Sequence, residues 1–294
     1  MTGDFELVAA EGVDSPGDEW EEIDVADTEA DRIARKRDRE FSEFRKRIKD
    51  SEQFKVEDSV FDDATYAAIY KLVQDGHIDA FGGPISTGKE ANVYTALAGE
   101  DEVAVKVYRI NASDFKDMRG YLDGDPRFEG IGQDKKKVVM AWVRKEFANL
   151  NRAQQAGVRV PNPIAVERNV LVMEYIATEA GRAKRLNEVT IENPETAYNV
   201  VREYMCRLYD AGLVHGDLSE YNIVFHDGQL VVIDLGQAVT KHHPNATDFL
   251  ERDCENVASF FSRQGMEVTG DDLYDYIMED AVAQGEDRER QSTE

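Results

Sequence analysis

The stretch HGDLSEYNIVFHDGQLVVIDLG, residues 215–236, decides the fold of this chain. It predicts a β-hairpin, because a β-rich run precedes the Asp-Gly pair at 227–228, which favours positive φ, and an apolar run follows that pair. Counting back along the two strands from the turn sets Asn222 opposite Ile233, one residue before Asp234. An amide oxygen and a carboxylate therefore converge at one end of the hairpin, and that end can hold Mg²⁺.

Asp217 lies five residues before Asn222, on the loop that enters the hairpin. From there its carboxylate can accept or orient the proton of an attacking hydroxyl beside the metal. His215, Asp217 and Asn222 together write H-x-D-x-x-x-x-N, a spacing typical of phosphoryl transfer. The alternative is an ordinary acidic hairpin with a solvated tip, in which this spacing and the apolar strand ending in Asp234 are both accidental.

A nucleotide-binding half is predicted upstream, on a strand at residues 103–108. Its residues alternate, so three valines share one face while Ala104, Lys106 and Tyr108 share the other. Ala104 is small enough to admit a purine ring, and Lys106 would reach the phosphates. A lone strand lysine is more often a surface residue, so this interpretation needs a partner for Lys106.

Glu146 is the predicted partner, on a helix at residues 137–155. At about 100° per residue it falls in the middle of the apolar stripe of that helix. A carboxylate buried there costs several kcal/mol unless it is paired. Lys106 is the natural mate; in the alternative, Glu146 reaches the edge of the stripe and pairs with nothing.

A glycine-rich turn at residues 82–94 comes just before the lysine strand. Its backbone amides can contact phosphate oxygens, and Ser86, Thr87 and Lys89 are its candidate nucleotide-binding residues. Part of it nearly writes a Walker A motif. That motif fails because Glu90 stands where a hydroxyl should hold the metal, and because the segment leads into a strand rather than a helix.

Five motifs in this order resemble the RIO family of atypical serine/threonine protein kinases. The wording of the first resembles the type-one branch, and the resemblance covers roughly residues 50–265. The motifs are STGKEANVY (86–94), VAVKVYR (103–109), LVMEYI (171–176), HGDLSEYNIVF (215–225) and IDLGQAV (233–239).

The resemblance implies an α+β, bilobed protein-kinase-like fold, with a β-rich N-lobe, a mainly helical C-lobe and an N-terminal helical extension. We expect an acidic disordered tail and charged helix at 1–52, an extension helix and ATP-binding N-lobe at 53–173, a C-lobe at 174–282, and a frayed tail at 283–294. Helices are predicted at 62–74, 194–211 and 248–264, with a short one near 271–278.

The resemblance also implies the cofactors, ATP and Mg²⁺, with Mn²⁺ as an alternative metal. Lys106 would bind the phosphates and pair with Glu146, while Glu174 and Ile176 would offer backbone bonds to adenine.

By the same resemblance, Asp217 would be the catalytic base, and Asn222 and Asp234 the metal ligands. Asp234 would also accept phosphate transiently, as a covalent intermediate.

Departures from ordinary protein kinases narrow the choice of acceptor. Gly216 stands where those enzymes carry an arginine that reads a phosphorylated activation loop, and no Ala-Pro-Glu follows Asp234. These departures predict poor binding of peptide substrates. The phosphate acceptor could be the chain itself, a large assembly or water.

The resemblance implies a role in maturation of the small ribosomal subunit, with a pre-small-subunit particle as partner. Two alternatives are a small-molecule kinase of the aminoglycoside or choline type and a slow ATP-binding assembly factor.

Composition indicates the environment of the protein. The formal charge is −25, from 60 acidic and 35 basic residues, and the acid is spread through the catalytic core. This predicts adaptation to molar intracellular salt in a halophilic archaeon, where screening mutes self-repulsion. The alternative is a mesophilic protein with acidic tails.

The sequence also predicts a soluble, cytoplasmic protein. It contains two cysteines, no apolar signal sequence and no apolar run long enough to span a membrane.

Two segments are candidates for contacts outside the cleft. Residues 28–50 read as a charged helix with a thin stripe of Phe41, Phe44 and Ile48, and carry nine basic against six acidic residues, a net of +3. This segment is a candidate for rRNA contact, although such a run is more often a solvated helix face. Residues 111–137 predict a long loop. The resemblance implies that this loop is specific to the family and can carry autophosphorylation, and Ser113, the only serine in it, is the candidate site.

Overall fold

The computed structural model describes residues 61–110, 115–123, 125–128, 131–132 and 134–291 of the chain. The predicted tail and charged helix at 1–52 and the candidate Ser113 lie outside the described residues, so these stay predictions.

The N-terminal lobe is built on a five-stranded antiparallel sheet in the order β1-β2-β3-β5-β4. Its elements, in chain order, are α1 (Asp63–Gln74), β1 (Ala80–Thr87), β2 (Ala91–Ala98), β3 (Asp101–Tyr108), α2 (Phe115–Leu122), α3 (Lys135–Gln155), β4 (Pro163–Glu167) and β5 (Val170–Glu174).

The alternation of side chains along β3 determines which of them pack in the core beside α1 and which point to the other face of the sheet. Val105 and its two neighbouring valines are buried in a cluster with α1, whose first turn is capped by the Asp62 carboxylate at 2.7 Å from the Thr65 amide. The next residues along the strand point the other way, so Lys106 faces the cleft and Tyr108 packs in a second cluster with α3. The period of two that was read from the sequence is therefore confirmed.

The C-terminal lobe is mainly helical, with short strands around the catalytic loop. Its elements are β6 (Ala177–Thr178), β7 (Gly181–Arg182), β8 (Lys184–Arg185), α4 (Pro194–Asp210), β9 (Leu213–Val214), β10 (Ile223–His226), β11 (Gln229–Val232), β12 (Val239–Thr240), α5 (Ala246–Arg263) and α6 (Gly270–Gln291). The predicted α+β, bilobed, kinase-like architecture is confirmed.

The core of this lobe continues the α3 cluster of the N-terminal lobe. Val201 on α4, Phe261 on α5 and Leu273 on α6 are all buried in it. The cluster also contains Leu235, just after the metal aspartate predicted from the sequence. The loops of the cleft therefore rest on one continuous apolar core.

The long loop predicted at 111–137 contains regular structure. It holds α2 and a 3₁₀ turn at Pro126–Phe128, and it buries Met118, Leu122 and Phe128 in the core. Met118 and Leu122 are four residues apart and so share one helical face. The many Asp, Gly, Arg and Lys residues around them hid this short apolar stripe in the sequence.

The last helix is longer than predicted. The sequence placed a short helix near 271–278 and a frayed tail at 283–294, whereas α6 runs for 22 residues to Gln291. The prediction stopped where apolar periodicity stops, but residues 279–291 are rich in Glu, Arg, Gln and Ala, which favour helix. Over the part of the chain that the structure describes, no helix combines the length and the apolar character that a bilayer span requires.

Candidate active site

Lys106 lies at the centre of the cleft between the lobes, between two carboxylates. Its Nζ atom is 2.7 Å from Glu146 Oε1 and 2.8 Å from Asp234 Oδ1. The Tyr108 hydroxyl donates a hydrogen bond to the other oxygen of Glu146. Only 1 % of Glu146 is exposed, so the carboxylate in the middle of the helical stripe is paired and not displaced to its edge. The predicted Lys106–Glu146 pair is present.

These contacts determine the charge of the three groups. Burial disfavours the Lys106 ammonium, but Asp234 and Glu146 together outweigh it and raise the pKa of Lys106 well above its usual value. Lys106 in turn lowers the pKa of Asp234, although about half of that side chain is exposed to the cleft and solvent screens the effect. Burial raises the pKa of Glu146. Lys106 is therefore a permanent cation in the cleft.

The hairpin has the register predicted from the sequence. Ile223 pairs with Val232, and the Ile233 amide donates to the carbonyl of Asn222 at 2.9 Å. The turn at 227–228 has φ values of 50° and 76°, as an Asp-Gly turn of this type requires. Asn222 and Asp234 consequently lie at the same end of the hairpin, and both line the cleft.

Asp217 and Asn222 contact each other directly. The Asn222 amide nitrogen donates to the Asp217 carbonyl at 2.8 Å and to its carboxylate at 3.1 Å. These bonds use the NH₂ group, so the amide oxygen of Asn222 stays available as a hard ligand. Partial burial, with repulsion from Asp234 as a smaller contribution, raises the pKa of Asp217, which makes it a better proton acceptor than an ordinary aspartate.

Hydrogen bonds to a side chain of α5 hold the loop that carries Asp217. Both carboxylate oxygens of Asp253 accept backbone hydrogen bonds, from Gly216 at 2.7 Å and Leu218 at 2.8 Å. Burial raises the pKa of Asp253 to about 7, against those two bonds. His215 braces the same loop through a 3.2 Å contact from Nε2 to the Ile233 carbonyl. The sequence reading missed Asp253, although a carboxylate within the apolar stripe of a helix was the signal that identified Glu146.

The segment after Asp234 is held by α3. Lys145 is fully buried and donates to the Gly236 carbonyl at 2.8 Å. Asn149, one turn further along, donates to the carbonyls of Leu235 at 3.2 Å and Ala238 at 2.8 Å. Asp234 itself has φ 64°, in the left-handed region. The helix that supplies Glu146 thus also fixes the backbone next to the metal aspartate, and the sequence reading did not foresee this.

The cleft has a volume of about 170 Å³ and reaches from Lys106 to the segment that links the lobes. Ala104, Glu174 and Ile176 line it, as predicted. The Glu174 amide donates to the Asn162 carbonyl at 2.8 Å, so an adenine contact from Glu174 has to come from its carbonyl oxygen. Within the described ranges the amide of Ile176 has no acceptor, whereas its carbonyl accepts from Ala183 at 2.9 Å.

The three candidates of the glycine-rich turn are not equally close to the cleft. Ser86 lines it, near the end of β1. Thr87 and Lys89 are exposed at the turn between β1 and β2 and do not line the cleft. Their nucleotide-binding role stays a prediction.

Comparison with known proteins gives three findings. The sequence model of the RIO domain family matches residues 92–273. A Haloferax volcanii protein called RIO-type serine/threonine-protein kinase Rio1 is 70 % identical over 98 % of each chain, and a Methanocaldococcus jannaschii protein of the same name is 39 % identical over 82 % of this chain and 83 % of its own.

Two solved structures of the Rio2 kinase from Chaetomium thermophilum share the fold. One has a TM-score of 0.55 at 21 % identity and covers 78 % of each chain. The other, described as an ADP/Mg²⁺-phosphoaspartate complex, has a TM-score of 0.54 at 20 % identity and covers 78 % of this chain and 76 % of its own. At this level of identity the likeness establishes the fold alone.

Proposed function

Because this chain belongs to the RIO family, we propose that it is a serine/threonine protein kinase that transfers the γ-phosphate of ATP with the help of Mg²⁺. The observation that carries the proposal is the position of Lys106, 2.7 Å from Glu146 and 2.8 Å from Asp234, in a cleft that Asn222 also lines. A permanent cation beside a partly exposed carboxylate and an amide oxygen is what a metal-bound triphosphate requires.

We assign nucleotide binding to the N-terminal side of the cleft. The purine would lie against Ala104, with the Ile176 amide and the Glu174 carbonyl as its backbone partners. Lys106 would bind phosphate oxygens while Glu146 keeps the ammonium in place. The buried contact between the Tyr108 hydroxyl and Glu146 keeps that carboxylate from turning away.

Asp234 and Asn222 would hold the metal. A carboxylate and an amide oxygen at one end of a hairpin fit Mg²⁺, and Mn²⁺ is an alternative because it takes the same oxygen ligands. When bound, the ion neutralises charge on the transferring phosphate. The contacts of α3 with the backbone at 235–238 keep Asp234 at the end of the hairpin.

In the transfer to a protein hydroxyl, the hydroxyl oxygen attacks the γ-phosphorus. The bond from that phosphorus to the bridging oxygen breaks, and ADP leaves. Asp217 takes the hydroxyl proton, for which its raised pKa suits it. Asn222, which lines the cleft, fixes the orientation of the Asp217 carboxylate through its 3.1 Å bond.

Asp234 is also a candidate acceptor in its own right. Its carboxylate would attack the γ-phosphorus and give an aspartyl phosphate and ADP; water would then hydrolyse the acyl phosphate to phosphate and free Asp234. The sum of these two steps is ATP hydrolysis. The Chaetomium thermophilum Rio2 structure described with phosphoaspartate is consistent with this chemistry.

We extend the proposal to the cellular role implied by the type-one motifs. The partner would be a pre-small-subunit ribosomal particle in the cytoplasm, with rRNA contact through the basic residues of 28–50. An autophosphorylating chain would use Ser113. The slow ATP-binding assembly factor is the alternative that the following experiment separates from a kinase.

The proposal is tested by incubating the full chain with γ-labelled ATP and Mg²⁺ in high salt. Label on protein and free phosphate are scored separately for the unmodified chain, Asp217→Asn and Asp234→Asn. Asp227→Asn is the matched control, because it alters an aspartate at the exposed tip of the same hairpin. We expect the first two variants to lose at least 100-fold in rate and the control to stay within twofold.

The chemistry of the label distinguishes the acceptors. Acid-stable label indicates serine or threonine, because their phosphate esters survive acid. Acid-labile label that hydroxylamine releases indicates the aspartyl phosphate, because hydroxylamine attacks acyl phosphates and not phosphate esters. Free phosphate without label on protein would favour an ATPase. Bound nucleotide with neither product, or rates unchanged in Asp217→Asn, would contradict the proposal.

A further inference from the structure

A groove with a volume of about 880 Å³ lies beside the catalytic hairpin, outside the nucleotide cleft. It is formed by the segment before α4, the first turns of α4 and the hairpin β10–β11. Its lining is mainly apolar and includes Val189, Ile191, Val200, Phe225 and Leu230. It is much larger than the cleft of about 170 Å³, and none of the chemistry above uses it.

The hairpin forms a wall shared by the groove and the cleft. Successive residues of a strand point to opposite faces. Val224 therefore lines the cleft, whereas its neighbour Phe225 lines the groove. Phe225 is 45 % exposed, which is unusual for an aromatic residue in a paired strand. An apolar partner that covers Phe225 would gain from its burial.

The charge around the groove favours a basic partner. Glu192 lines it, and among the described residues no lysine or arginine does. Asp227 lies next to the lining residue Gly228, with 84 % of its side chain exposed. Arg185, on the neighbouring strand β8, lines the nucleotide cleft instead, whereas the exposed Lys184 lies directly opposite Phe225 and so on the groove side of the sheet. The groove therefore combines an apolar floor with a rim that carries two carboxylates and one ammonium, a net charge of −1.

We propose that the groove is the docking site for residues 28–50 of the same chain. This segment carries Phe41, Phe44 and Ile48, spaced three and four residues apart, within a run of net charge +3. Aromatic and aliphatic anchors at this spacing are how an amphipathic helix occupies an apolar groove. The net charge of +3 of the segment complements the net negative charge of the rim, in a chain whose overall charge is −25.

The length of chain before the described residues makes an intramolecular contact feasible. Residues 51–60 join the segment to Phe61, where the described structure begins. Ten residues span at most about 35 Å when extended. A domain of this size has a radius of gyration of roughly 17 Å. The segment can therefore reach past the lobe to which Phe61 belongs.

The test is a disulfide cross-link in the full chain between the predicted apolar stripe and the groove. Arg37→Cys is combined with Gln229→Cys. On a helix, position 37 lies on the same face as 41, 44 and 48, so all three anchors are kept, and Gln229 is an exposed lining residue of the groove. Cys206 and Cys254 are buried and so should react little. Arg39→Cys with Gln229→Cys is the matched control, since it also removes one arginine and since on a helix residue 39 points away from the stripe of 41, 44 and 48.

After mild oxidation, peptide mass spectrometry of the monomer band measures the link. We expect at least tenfold more intramolecular link from position 37 than from position 39. Equal yields would overturn the proposal, because they would mean random collision. A link found only between two chains would also overturn it and assign the groove to a second copy.

Hydrogen exchange provides a second measurement that needs no cysteine. Amides at 186–193 and 225–230 are compared between the unmodified chain and a Phe41→Ser, Phe44→Ser variant. Docking predicts faster exchange at both stretches in the variant, while α1 is unchanged. Identical exchange would rule out docking. Neither measurement depends on catalytic activity, so a failure here leaves the proposed kinase function untouched.

Discussion

Gly216 shows how a single residue constrains the catalytic loop. Its φ is 78°, and a Cβ atom there would lie 3.0 Å from the carbonyl oxygen of Gln237. The backbone conformation at this position therefore excludes the arginine that ordinary protein kinases carry here. No side chain fits at this position unless the loop moves.

We predict that Gly216→Ala lowers the free energy of unfolding by about 1 to 3 kcal/mol, from left-handed backbone strain and the contact with Gln237. Gly228→Ala is the control, because Gly228 has φ 76° but open space around a Cβ. Urea denaturation of both variants separates the strain from the contact. Equal losses would show that the contact with Gln237 costs nothing.

Lys145 predicts a pH dependence of stability. Burial, with repulsion from Arg127, lowers its pKa from 10.5 to about 7. Between these values the unfolded chain holds a proton that the folded chain has lost, so the free energy of unfolding should rise with pH from 7 toward 10. One proton contributes at most about 1.4 kcal/mol for each pH unit.

The measurement is urea denaturation across that pH range for the unmodified chain and Lys145→Met. The variant should lose most of the rise, and Lys184→Met, at an exposed lysine, should keep it. If the two variants and the unmodified chain share one slope, Lys145 is not the group responsible.

At this scale the sequence predicts some site residues well and others poorly. Lys106 and Glu146 were predictable because a charge within an apolar pattern needs a partner, and each supplies the other. Lys145 and Asn149 were not, because their partners are backbone carbonyls, which leave no mark in a sequence. Asp253 lies between these cases, since its position on a helix was informative but its backbone partners were not.

Among the secondary structure elements, α3 links the two halves of the site. It carries Glu146 toward Lys106 and, one turn later, Asn149 toward the backbone after Asp234. A shift of this helix would therefore move the phosphate-binding lysine and the metal aspartate together.

We predict that Asn149→Ala lowers the rate of phosphate transfer by about 10- to 100-fold. It leaves the carbonyls of Leu235 and Ala238 without this donor, and such losses cost about 1 to 3 kcal/mol. Asn151→Ala is the control on the same helix, because among the described residues its side chain bonds the nearby Phe147 carbonyl alone. Rates measured against Mg²⁺ concentration should show a higher requirement for Mg²⁺ in Asn149→Ala alone. Equal effects of both variants would contradict the assignment.

Elements defined by local patterns were predicted best. The hairpin follows from its Asp-Gly turn, and β3 follows from its alternation. The segment after β3 was read as a loop because the burial of Met118 and Phe128 depends on distant partners in the core. The length of α6 was underestimated because helix propensity continues after the apolar face has ended.

At the scale of the whole molecule, the charge of −25 is the dominant feature. We expect the thermal midpoint of unfolding to rise as KCl increases from about 0.1 M to about 1 M, because the screening length falls from about 10 Å to about 3 Å and self-repulsion weakens. Calorimetry in KCl, with sucrose of equal osmolarity as the control, tests this. A midpoint that is constant or falls with KCl would favour the mesophilic alternative over a halophilic origin.

The bond between Lys106 and Asp234 makes the lysine an internal counter-ion at the metal position. A divalent cation must compete with that ammonium for Asp234, and a triphosphate that attracts Lys106 relieves the competition. Nucleotide and metal should therefore bind with positive cooperativity, each tightening the other by the same factor, as linkage requires. Free Mg²⁺ in the cell would then bind the cleft only weakly in the absence of ATP. ATP binding would therefore determine when the metal site is filled.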